Sequence, residues 1–179
     1  MSASPFRRIL VPIDFTDDAD AELHSGFEVA VDGGMVAVAP ASARALELAA
    51  GIIDEAGELR LVHATPTYEA ARVYGSAGLG VLAAGEIDEI HANARKASTE
   101  VLTALALQFA PNVRCSFEVR PGAALQVILD EATQFEAELV VVAASGRSRV
   151  ARFFLGSTAD RIIRQAPCPV MVVPPKQAG

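Results

Sequence analysis

Two glycines and a serine near the end of the chain carry the clearest chemical signal. The apolar run Leu139 to Val142 reads as a buried strand. It opens into a loop that holds Gly146 and, after nine intervening residues, Gly156-Ser157, where a helix begins. Glycine lets a backbone approach a ligand closely, and a helix N-terminus presents unpaired N–H groups and the positive end of a dipole. Together they suit a phosphate group, with Thr158 in the same first turn. Arg147, Arg149 and Arg152 lie in the connecting loop, where they are either solvated or paired with phosphate oxygens. The same residues also suit an ordinary strand-to-helix turn in which Ser157 caps the first helical turn.

Other candidates for chemistry are weaker. His24, His63 and His91 have no Ser, Cys or carboxylate partner at catalytic spacing, so each reads as a surface or satisfied histidine, and no catalytic residue is assigned. Asp18, Asp20 and Glu22 lack the ligand spacing of a cation loop and read as solvated, so no metal site is assigned. No Gly-x-x-x-x-Gly-Lys-Ser/Thr loop occurs. The cluster Gly75-Ser76-Ala77-Gly78-Leu79-Gly80 has the wrong order for a dinucleotide fingerprint and reads as a flexible loop, with a lid over the rim as the sharper alternative.

The elements that must hold these residues follow from periodicity. Arg8 to Ile13, Leu59 to His63, Val113 to Val119, Leu139 to Val142 and Val170 to Val173 are short, β-branched and apolar, as buried strands are. Stretches between them, such as Ile87/Ile90/Ala94/Ala97/Val101/Ala104, keep helical spacing. This β-α-β alternation implies a mostly parallel sheet covered by helices on both faces. Ligands of such sheets bind beyond the carboxyl ends of the strands, where strand order reverses. Asp14, Ala64-Thr65 and Ala143 to Gly146 all follow such ends. An aspartate there also serves as a plain turn-former, and Thr16 suits capping the backbone.

With 179 residues and 51% apolar composition, the chain reads as a single domain over 1–179. Its net charge of −7 argues against nucleic acid and acidic membrane surfaces as partners. No apolar run approaches a bilayer span, and Pro12 and Asp14 interrupt the N-terminal apolar stretch, so a cytoplasmic location is expected. Cys115 and Cys168 lie far apart without metal-ligand spacing and read as ordinary half-buried thiols.

The stretch Ile9-Leu10-Val11-Pro12-Ile13-Asp14-Phe15-Thr16, taken with the C-terminal fifth, resembles the universal stress protein family. The nucleotide-binding branch of that family carries Gly, two residues, Gly, nine residues, then Gly and Ser or Thr. A helix, an Ala-Pro-Cys-Pro-Val-like turn and a last strand follow. This chain matches at Gly146, Gly156, Ser157 and Ala166-Pro167-Cys168-Pro169-Val170, and has Ala143 in place of the first glycine. The resemblance implies an α/β fold with an open, mostly parallel five-stranded Rossmann-like sheet. It further implies an adenine nucleotide, ATP with or without Mg²⁺, or AMP, bound through Pro12, Asp14, Ala64, Ala143, Gly146, Arg147, Gly156, Ser157 and Thr158. The implied role is sensing or regulation in a stress response, through protein partners the sequence does not name, with slow ATP hydrolysis left open. The family's second branch lacks the full glycine pattern and binds no ATP. Ala143 therefore keeps open a nucleotide-free dimer that acts by protein–protein interaction. An enzyme of the related ATP-pyrophosphatase type would need a Ser-Gly-Gly-x-Asp-Ser loop after the first strand, which is missing.

Between Asp14 and a helix starting near Ser42 lie more than twenty residues where the family has a few. A structureless loop of that length is uncommon in a compact domain. Phe27/Val29/Val31 alternate with Glu28 and Ala30, Asp32-Gly33-Gly34 supplies turn chemistry, and Met35 to Val38 gives a second extended run. The insertion, about 18–41, reads as a β-hairpin projecting from the ligand rim and dispensable for folding. The last strand, Val170 to Val173, has only Pro174, Pro175 and a short polar tail after it, so it is expected at a sheet edge. In the family the corresponding strands pair across a two-fold axis, which implies a homodimer through this strand.

Overall fold

A computed structural model describes residues 6–16, 27–31, 34–67, 84–144 and 157–174 of the chain. Its centre is β1 (Phe6–Pro12), in which Ile9, Leu10 and Val11 are all fully buried. Burial on both sides of a strand requires neighbours and cover on both faces. β1 pairs in parallel with β5 (Ile53–Thr65) and with β7 (Leu139–Ala143). β6 (Arg114–Pro121) extends the sheet beyond β5, and β8 (Val170–Val173) extends it beyond β7. The result is a five-stranded parallel sheet in the order β6-β5-β1-β7-β8.

Side-chain alternation divides the interior between the two faces. Ile9, Val11, Leu59, Leu61 and Val141 point into one cluster with Leu46 of α1 (Pro40–Ile52) and Val101, Leu102 and Leu105 of α2 (Ala84–Phe109). Leu10, Val62, Val140 and Val142 point into the other with Val127 and Ile128 of α3 (Ala124–Gln134) and Ile162 of α4 (Ser157–Gln165). Helices thus cover both faces, as the alternation of runs requires.

The expected strands are all present, and the last has the predicted limits. β5 is much longer than its apolar run, because the polar segment Asp54 to Glu58 carries no strand signature yet Ile53 still pairs with Phe6. Pairing shifts between Phe6 and Arg8, and Gly57 sits opposite the shift. A Cβ at Gly57 would fall 2.6 Å from Ile53 Cγ1 and 2.9 Å from the Arg7 carbonyl, so no larger residue fits without movement. α1 begins at Pro40, two residues before Ser42, because proline's fixed φ suits the first helical position.

The insertion's strands β3 (Phe27–Val31) and β4 (Gly34–Val38) form an antiparallel sheet with β2 (Phe15–Thr16), which precedes it, in the order β2-β4-β3. Val31 pairs with Gly34, so residues 32 and 33 connect the hairpin; they lie outside the described residues. The predicted alternation holds, with Val29 buried and Glu28 and Ala30 exposed. The hairpin is not an accessory. Val29 and Val38, 5% and 0% exposed, belong to the same core cluster as Ile9, Leu46 and Leu102. Its apolar face rests on its own domain.

One charged cluster has no counterpart in the sequence reading. Glu131 of α3, 2% exposed, lies over the sheet and accepts from Arg60 Nη1 at 2.6 Å and from Arg120 Nη2. Arg60 Nε donates to Ser116 Oγ at 2.6 Å, and its guanidinium lies 4.5 Å from the Phe135 ring centre. Arg120 Nε donates to Glu118 at 3.0 Å and Nη2 to Gln134 at 2.8 Å. The Ser116 hydroxyl donates to Glu58, and that bond, with the Arg114 and Arg60 charges, holds the Glu58 carboxyl below its ordinary value. Both oxygens of the buried carboxylate are therefore met by cations, the condition under which burying it is tolerated.

Candidate functional site

Strand order reverses at β1, whose two neighbours, β5 and β7, lead away in opposite directions. At such a switch point the flanking crossovers leave to opposite faces and a crevice opens beyond the strand ends. Pro12 closes β1 there, half-buried, and the Ile13 N–H donates to the Val62 carbonyl at 2.9 Å, carrying the pairing one residue further. Asp14 follows, exposed. Ala64 is half-buried at the end of β5, and Ala143 is half-buried at the end of β7, paired with Val173.

Ala143 lies within a regular strand. Among the described non-glycine residues the positive φ belongs to Glu136, so an alanine methyl at 143 costs nothing in backbone conformation. Ser157 and Thr158 open α4 and are both exposed, while Asp160 in the same turn is held by Arg164 at 3.0 Å. Ala159 and Ile162 anchor α4 among Leu10, Val140 and Val142. Because α4 leads from the end of β7 to the start of the parallel β8, its N-terminus opens towards the carboxyl rim. Gly146, Arg147, Arg149, Arg152 and Gly156 lie outside the described residues, as do Gly75 to Gly80, His24, Asp18, Asp20 and Glu22.

His63 has a more specific place than its sequence context indicated. Its ring stacks on Phe15, with centres 3.8 Å apart and planes 20° apart. Its Nδ1 lies 2.9 Å from the Ile13 carbonyl oxygen, which can only accept, so Nδ1 carries hydrogen. Burial lowers the imidazole pKa, against the opposing influences of that bond and of the Asp14 charge. The histidine is satisfied, as expected, but against the residues on either side of Asp14. Phe15 alone could have signalled this, as an aromatic next to a rim aspartate.

A cleft of about 900 Å³ runs beside the rim between α2 and the ends of β5 and β6, lined among others by Thr65, His91, Arg95, Leu107, Val119 and Pro121. Periodicity did not reveal it, because these residues come from three elements with no common spacing. At its edge the Gly122 N–H donates to the Thr65 carbonyl at 2.9 Å, and Gly122 has φ +149°, a region that favours glycine. Cys115 and Cys168 are half-buried, and burial raises both thiols, as their reading as inert small residues requires. Among the described residues, no helix is long and apolar enough to cross a membrane.

Residues 29–174 match the model of the universal stress protein family. Universal stress protein MJ0531 of Methanocaldococcus jannaschii is 36% identical over 61 residues, an alignment spanning 34% of this chain and 36% of that relative. The solved structure of the protein MJ0577 superposes with a TM-score of 0.66 at 15% identity, covering 97% of this chain and 99% of that one. A universal stress protein family member from Arabidopsis thaliana, solved with AMP bound, superposes with a TM-score of 0.55 at 16% identity, covering 94% and 92%. At such identities these two likenesses concern the fold. The match across most of the chain, together with the sheet order, establishes that the chain belongs to the universal stress protein family.

Proposed function

We propose that this chain binds an adenine nucleotide, ATP or AMP, at the β1 switch point and uses occupancy of that site as a signal in a stress response. The observation that carries the reading is the meeting of Pro12, Asp14, Ala64 and Ala143 at the carboxyl ends of three adjacent parallel strands. Asp14 would accept from the ribose hydroxyls. The opening turn of α4, with Ser157 and Thr158, would receive phosphate, and Gly146, Arg147 and Gly156 would complete the cradle. Mg²⁺ would accompany a triphosphate. AMP in the Arabidopsis relative supports the choice of base. The reading is of a site that acts by binding, with slow ATP hydrolysis left open; the engagement of His63 by Ile13 and Phe15 fits a positioning role for it.

Calorimetric titration with Mg-ATP tests the reading. The parent chain is expected to bind, Gly156→Val to lose binding by filling the phosphate space, and Ala143→Gly to bind equally or more tightly. No heat of binding from either the parent or Ala143→Gly would overturn it and leave the nucleotide-free dimer.

That second reading keeps its own support, because among the described residues β8 forms one edge of the sheet and exposes Met171. An uncovered edge invites pairing, and a two-fold axis needs only one self-complementary strand. Both readings therefore share a homodimer through β8. Light scattering at micromolar concentration is expected to give twice the chain mass, and Val172→Pro, which removes a ladder donor, to give the monomer. Monomeric mass for the parent would refute the dimer, and an unchanged dimer in Val172→Pro would refute the strand interface.

A further inference from the structure

Asp14 is held from both sides by one side chain. His63 bonds the carbonyl of Ile13, the residue before it, and stacks on Phe15, the residue after it. Phe15 is also the first residue of β2 and pairs with Val38 of the inserted sheet. His63 therefore joins three parts of the molecule: the end of β5, the turn that carries Asp14, and the insertion.

We propose that His63 is the positioning residue for Asp14, and that its protonated form competes with a ligand hydroxyl for the Asp14 carboxylate, so that nucleotide affinity falls on acidification. The inference rests on the nucleotide reading of the site and deepens it with a regulation.

The tautomer fixes where the proton goes. Nδ1–H is committed to the Ile13 carbonyl, so protonation occurs at Nε2 and leaves that bond in place. The geometry of the turn is thus kept while a positive charge appears beside Asp14. A cation over the Phe15 face is tolerated, so the stack survives as well. What changes is the partner offered to Asp14. The carboxylate that would accept from ribose gains a nearby imidazolium, and a ligand must displace that attraction.

Among the described residues, Asp14 is the one whose charge acts on His63. On β6 its cross-strand neighbour is Val119, and the flanking Glu118 and Arg120 are paired with each other. On α2, Asp88, His91 and Arg95 line the cleft that Val119 also lines, and Glu28 of β3 is exposed to water. Burial favours the neutral ring, so the binding-competent form is the resting one at neutral pH. For stability the sign is the same. The unfolded chain takes up the proton more readily than the folded one, so stability is full above the ordinary imidazole value of 6.5 and declines as pH falls below it.

The experiment is a side-chain NMR titration of the histidines in the full chain, with and without saturating adenosine, a neutral probe without a phosphate to titrate. Adenosine is expected to lower the His63 pKa, and adenosine affinity to fall severalfold as pH drops through the same range, since linkage makes the two effects reciprocal. His63→Asn, which keeps a donor for the Ile13 carbonyl and cannot titrate, is expected to bind with an affinity that is flat over that range. His63→Ala, which loses the bond and the stack, is expected to bind more weakly at every pH. Adenosine binding with an unmoved His63 pKa, or a His63→Asn profile that follows the parent's, would overturn the inference alone. Absence of any binding of adenosine and ATP by the parent would overturn the nucleotide reading and this inference with it.

Discussion

Replacing Glu131 with alanine is expected to destabilise the fold by about 3 kcal/mol or more, because removing one partner of a buried charge cluster typically costs about 3–5 kcal/mol. The two arginines it serves, Arg60 and Arg120, would stay on the sheet under α3 with no carboxylate between them. Both are about a quarter exposed, so water reaches them in part and the effect belongs at the lower end of that range. For a chain of this length the loss corresponds to a melting temperature lower by roughly 6–12 °C. Glu131→Gln, which keeps the shape and one acceptor, is expected to lose less. Thermal unfolding followed by circular dichroism measures both. An alanine variant that melts with the parent would show that the cluster contributes nothing net, as is the case for many exposed ion pairs.

A deletion of residues 17–39 that joins Thr16 to Pro40 is expected to yield a chain that is unfolded or strongly destabilised. This reverses what the hairpin's alternating pattern suggests by itself. Val29 and Val38 are core residues, with Phe15 and Val36 packed against the same cluster. Each buried valine stabilises by about 1.5–3 kcal/mol, and the deletion also bares the surface that β3 covers on α2. The sum approaches the roughly 5–15 kcal/mol by which a whole domain is stable. Size-exclusion chromatography with far-ultraviolet circular dichroism distinguishes the outcomes. A monodisperse, fully folded deletion would restore the view of the hairpin as a detachable appendage.

Much of the sheet was legible because its strands are apolar on both faces and bounded by polar residues. Arg8 to Ile13 and Val170 to Val173 carry that signal at full strength. The hairpin was legible too, since Val29 and Glu28 alternate around Asp32-Gly33. Its burial was not, because period two reports which side is apolar and says nothing about what covers it. The first half of β5 escaped for the opposite reason: Asp54, Glu55 and Gly57 look like a loop, and only Phe6, far away in sequence, makes them a strand. Ala64 and Ala143 entered the candidate site by their place after strand ends and by family likeness, because an alanine has no chemistry of its own to announce a site. The Glu131 cluster draws on β5, β6 and α3 at separations that no local pattern encodes.

The two-sided burial of the central strands has a consequence for how the chain finds its alignment. In a sheet with one wet face, sliding a strand by one residue would bury its polar side, and that penalty alone rejects the error. β1 has no such safeguard, since Ile9, Leu10 and Val11 are equally at home on either side. The discriminating information must come from polar groups that fit only once. Glu138, just before β7, supplies such a mark: its carboxylate accepts the Arg7 N–H at 2.5 Å and the Arg8 N–H at 3.2 Å, while its own N–H donates to the Arg8 carbonyl at 2.8 Å. The Arg7 N–H bond is the foremost cause holding the Glu138 carboxyl below its ordinary value. A one-residue slip of β1 against β7 would break all of these bonds while leaving the oily interior nearly unchanged. Fidelity in assembling the sheet therefore resides in a few ionised groups at its lower rim rather than in the greasy strands that make up its bulk.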